Sequence, residues 1–173
     1  MTPQQRQLVN DLVIVPPSGQ RRLSKEAFAA QFPEALEGDT VSAPLLAQAC
    51  HDRSAEDLQC ALLVGFAFHF SPRHEDLLCS LIRADWHVSH EDVIAALEEI
   101  KATSDKAVDA LYEATRMSLP YFAYDDSKAL AVKAIWALGK VPGAYAEAKL
   151  QLLAGSEDPI LRENAELQLK KRA

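Results

Sequence analysis

Residues 74–100, HEDLLCSLIRADWHVSHEDVIAALEEI, state one short pattern twice. His74-Glu75-Asp76, followed by Leu77, Leu78 and Leu81, recurs sixteen residues later as His90-Glu91-Asp92, followed by Val93, Ile94 and Leu97. That offset is one helix plus its turn. A chain that repeats a helix start together with its apolar face is built from helices stacked one unit at a time. Acids in the first turn meet the positive end of the helix dipole, so such a unit copies its cap along with its core.

With 173 residues, 49% of them apolar and 25% charged, the chain has enough material for one globular domain with a real core. The expected organisation is a single helical domain over 1–173, in which residues 1–40 cap a stack formed by 41–173. Net charge is −7 and unevenly spread. Residues 54–127 hold 14 acidic and 5 basic groups, whereas residues 128–173 hold 5 acidic and 8 basic ones. A broad phosphate-binding surface needs an excess of lysine and arginine, so nucleic acid is not expected as a partner. The central acidic segment suits a basic protein partner instead. Cys50, Cys60 and Cys79 lie in apolar helical patterns with no C-x-x-C pair, the usage of reduced thiols in a cytoplasmic protein. No run of 18 apolar residues occurs, so neither a membrane span nor a membrane partner is expected.

Gln4 to Val15 reads as a short helix or a segment ending as a strand at LVIV, and Pro16-Pro17-Ser18-Gly19 breaks it. Ser24 is a helix cap, with Leu23 placed to staple onto Phe28 and Pro33 to stop the helix near Phe32. Leu45, Leu46 and Ala49 form a short apolar face. Ser54 caps a helix reaching Phe68 that is apolar nearly all round, and its Gly65 suggests a neighbouring helix close by. Helix starts follow at Ser71-Pro72 and at Ser89, and a further helix spans Asp105 to Met117. SLPYFAYDD, residues 118–126, then interrupts the helices with three aromatic rings and two acids.

In the last part Ser127, Ala134 and Leu138 correspond, 31 residues on, to Asp158, Ala165 and Leu169, each set supplying a cap, a small residue and a core leucine. Gly139 and Gly155 are placed to end helices, and Pro159 to begin one after Asp158. The basic end, Lys170-Lys171-Arg172, complements the dipole of its own helix. The stretch AIWALGKVPGAYAEAKLQLLAGSEDPILRENAELQL resembles HEAT-like repeats: Ala137-Leu138-Gly139 ends one helix, Ala148 with Leu152 and Leu153 lines the next, and Asp158 with Arg162 opens its partner. The resemblance covers residues 126–171, and the preceding unit departs from it by having Ala131 at the position of the arginine. It implies an all-α fold, a short right-handed α-solenoid of antiparallel helix pairs with a non-repeat N-terminal cap. WHVSHEDV at 86–93 with YDDSKALAVKAIWALG at 124–139 is similar to small bacterial HEAT-like immunity proteins found beside toxin genes. That similarity implies a role and no catalytic residue.

Two clusters are candidates for chemistry or binding. His87 and His90, with Asp85, Glu91 and Asp92, form the densest set of metal-ligand types. Their spacing is not the zincin pattern, and capping accounts for the acids, so no metal and no cofactor are expected. Trp86, His87, His90 and Glu91 are read as partner contacts. Tyr121, Phe122, Tyr124, Asp125 and Asp126 are the stronger candidate, because aromatic rings dominate binding hot spots and flanking acids steer a basic partner. Gly-rich phosphate loops and G-x-S-x-G elbows do not occur. The expected function is therefore a non-enzymatic binding module, an immunity protein that neutralises a basic, nuclease-like toxin. The alternatives are an enzyme of lyase or glycosylase type on a HEAT-like scaffold and a scaffolding subunit of a larger complex.

Overall fold

The computed structural model describes residues 1–13, 22–36, 42–126 and 128–172, and in them every regular element is helical. The helices are α1 (Pro3–Val13), α2 (Lys25–Gln31), α3 (Ala43–Asp52), α4 (Ala55–Phe68), α5 (Glu75–Ile82), α6 (His90–Glu99), α7 (Asp105–Ala114), α8 (Ala129–Lys140), α9 (Ala144–Ala154) and α10 (Pro159–Arg172). The Pro16–Gly19 break, the end of the LVIV segment and the proposed cap Ser127 lie outside the described residues. Two compact units divide the chain after His74. Within the first unit α3 and α4 pack on each other, and α4 also packs on α1. None of the described helices is long and apolar enough to cross a membrane.

In the first unit, Val9, Leu12, Phe28, Phe32, Ala35, Cys60 and Val64 form the buried cluster, with Leu23 packed against it as the staple requires. Ser24 and Ser54 accept hydrogen bonds from the amides of Ala27 and Asp57, as their positions predict. Gly65 has another cause than the neighbouring helix expected: a Cβ there would lie 2.1 Å from the ring of Phe70, which folds back onto α4. The buried Asp57 carboxylate binds the Met1 ammonium at 2.6 Å and the Arg6 Nε at 2.7 Å. Burial pushes this carboxyl up, but the two cations win and hold it below its usual range.

In the second unit, α5 packs on α6 and α7, α8 on α6 and α7, and α10 on both α8 and α9. Ser104 caps α7 through the Ala107 amide, and Asp158 caps α10 by accepting from Ile160 and Leu161. Ser89 stands at the start of α6 but makes no side-chain cap. The face assigned to α9 changes: Ala146, Leu150 and Leu153 are buried, while Ala148 is exposed and Leu152 is 62% exposed. Ala146, Leu150 and Leu153 share one i, i+4, i+7 stripe of α9, and that stripe is the buried one. Gly139 does not end α8, which runs on to Lys140. It makes room for Gln168 of α10, whose Oε1 would lie 2.5 Å from an added Cβ. Gln168 is accordingly buried where Leu169 was expected to take the core position.

Part of the charge separation seen along the chain is met inside this unit. Lysines of the basic C-terminal part reach acids of the central part: Lys133 to Glu91 at 3.8 Å, Lys140 to Glu98 at 2.9 Å and Lys149 to Asp109 at 3.0 Å. Nor does Arg172 serve its own helix. Its guanidinium donates to the carbonyls of Leu138, Gly139, Val141 and Gly143, at 2.6 to 3.4 Å, and so caps the end of α8.

Candidate functional site

Both copies of His-Glu-Asp stand at helix starts, just before α5 and at the first residue of α6, and both histidines are buried. Around the second copy the two candidate clusters come together. The turn 83–89 between α5 and α6 carries Trp86, His87 and Val88, and the one-turn helix Pro120–Phe122 packs Tyr121 against His90. The Trp86 ring meets His87 edge-on at 4.9 Å, His87 stacks on His90 at 4.3 Å, and Tyr121 lies over Phe122 at 4.5 Å.

Hydrogen bonds assign the protons on this stack. His87 Nε2 lies 3.0 Å from the Leu81 carbonyl, which only accepts, while its Nδ1 receives the Ser89 amide at 3.1 Å. The ring is therefore neutral with its proton on Nε2. His90 Nε2 donates in the same way to the Ala84 carbonyl at 2.8 Å, leaving Nδ1 to accept the Tyr121 hydroxyl proton at 2.6 Å. All four ring nitrogens are committed, so neither histidine has one available for a metal ion. Burial, reinforced by His90, pushes His87 down to about 4, and burial lowers His90 as well. The Tyr121 phenol is pushed up to about 12, first by burial and then by Glu91. It stays a donor at any physiological pH.

This chemistry changes how the candidate residues are used. His87 at 3% exposure and His90 at 0% present no ring to a partner. They lie beneath their neighbours, which carry the exposed surface here. Val88 is 65% exposed and Tyr124 99%, with Tyr121 partly exposed and Trp86 and Phe122 half-buried. Val88 escaped sequence reasoning because a lone valine in a turn carries no signal. Asp125 turns inward: its Oδ2 accepts from the Ala129 amide at 2.6 Å and caps α8. Asp126 is exposed, while Glu91 is half-buried and paired with Lys133. The loop thus shows one acid outward and uses the other to hold its own end.

Compared with protein-family models, with curated proteins and with solved structures, the chain matches none.

Proposed function

We propose that the chain is a non-enzymatic protein-binding module, a short right-handed α-solenoid of HEAT-like helix pairs, and that it acts in the cytoplasm as an immunity protein neutralising a basic, nuclease-like bacterial toxin. The observation that carries this reading is Tyr124, a tyrosine 99% exposed in a loop whose base is fastened by the Tyr121–His90 hydrogen bond and the Asp125 cap. A fully exposed aromatic ring gains nothing for folding. Held on a fixed loop, it loses little entropy when a partner closes over it. Val88 and Tyr121 extend the apolar contact, and Asp126 supplies outward negative charge for a cationic partner.

Titration against the product of the adjacent gene, together with a growth-rescue assay, tests the reading. Tyr124→Ala is expected to weaken binding by about 2 kcal/mol, roughly thirtyfold in Kd, with unfolding unchanged. Absence of both binding and rescue by the unmodified protein would refute it.

A further inference from the structure

A pocket of about 470 Å³ opens between the ends of α6, α7 and α8, away from the aromatic loop in sequence and built from other residues. Its size falls in the roughly 300–1,000 Å³ range of small-molecule sites. Leu97, Leu111, Ala137 and Val141 line it, each of them buried and apolar. Its polar lining residues are few: Glu98, Lys101, Thr103 and Lys140. Glu98 is bound by Lys140 at 2.9 Å, and among the described residues Lys101 forms no ion pair.

Lys101 holds this place at a backbone cost. It occupies the left-handed region, φ 52°, in the turn that ends α6, where its amide bonds to the Glu98 carbonyl and that of Ala102 to the Leu97 carbonyl. Glycine is the residue that fits this position without strain. Helix carbonyl ends would repel an anion, but α8's are occupied by Arg172 and α6's by the turn itself. An apolar interior, an exposed lysine with no ion pair among the described residues and occupied helix ends complement an aliphatic chain that ends in one negative charge.

We propose that this pocket binds a medium-chain carboxylate, with Lys101 holding the carboxylate group and the apolar lining holding the chain. Decanoate is the probe and decanol its uncharged control. Titration of the full-length protein with decanoate, followed by amide shifts in NMR, is expected to move residues 97–103 and 137–142 saturably, with decanol binding more weakly. Lys101→Gly removes the ammonium and relieves the backbone, so the fold is kept or stabilised while decanoate affinity falls by about tenfold. Absence of saturable shifts, shifts confined to other regions, equal affinity for decanol, or undiminished affinity in the folded Lys101→Gly variant would each overturn the proposal.

Discussion

Acid should loosen the second unit well before its carboxylates protonate, because His87 is stacked and bonded as a neutral ring. Unfolded, it takes up a proton near 6.5; folded, only near 4. A group with a depressed folded value stabilises the native state fully above 6.5 and loses that contribution as pH falls towards 4. Between pH 7.5 and 5 the loss from this one ring is about 2 kcal/mol, and about 3 kcal/mol once pH is below 4. His90 acts in the same direction. Among the described residues the shifted carboxyls Glu26, Asp57 and Asp109 are all lowered, so their share is lost below the ordinary carboxylate range and outside this window. Protonating His87 Nδ1 would also point a second donor at the Ser89 amide, and the positive ring would lie 4.3 Å from His90. Both tryptophans, Trp86 and Trp136, belong to the second unit, so urea unfolding followed by tryptophan fluorescence reads its stability directly. His87→Gln should start less stable at pH 7.5, by about 1–3 kcal/mol for the lost hydrogen bonds. It should then fall less steeply, so that the two proteins converge by about 2 kcal/mol at pH 5. If the difference between them stays constant from pH 7.5 to 5, the ring is not held neutral and the reasoning fails.

Asp57→Asn should cost about 3 kcal/mol by leaving the Met1 ammonium and Arg6 without their anion, measured by urea unfolding with far-UV circular dichroism. Gly65→Ala and Gly139→Ala should each lower stability by about 1–3 kcal/mol through overpacking. In the first case the cost should shrink when Phe70 is also changed to Leu, a double-mutant cycle that tests the Phe70 contact directly. Asp126→Lys should weaken binding to the basic partner more at low salt than at high salt, and a loss independent of salt would remove steering from its role.

Local chemistry was legible in the sequence; pairing across distance was not. Ser24, Ser54 and Asp158 could be placed because a cap depends on the next three residues. The all-helical character followed from periodicity and from the copied His-Glu-Asp starts. What escaped was which helix meets which. A lysine on α8 bonded to an acid on α6 looks, along the chain, like two fields of opposite sign. Gln168 in the core is legible only once Gly139 is known to face it. The two candidate clusters were found, but the proton that joins them, from Tyr121 to His90, spans 31 residues and leaves no local trace. Helix phase was the other weakness: Ala148 with Leu152 has the same i, i+4 spacing as Ala146 with Leu150, so spacing alone does not say which stripe is buried.

The reach of Arg172 across to α8 has a consequence for how this part of the molecule opens. Ordinary helix ends fray residue by residue at almost no cost. Here the final turn of α10 cannot unwind without stripping one guanidinium from four carbonyls at once, among them that of Val141, a wall residue of the pocket. The two helix ends are therefore coupled into one cooperative opening unit, and slow hydrogen exchange at the last amides of α10 should be lost together with that of the final turn of α8.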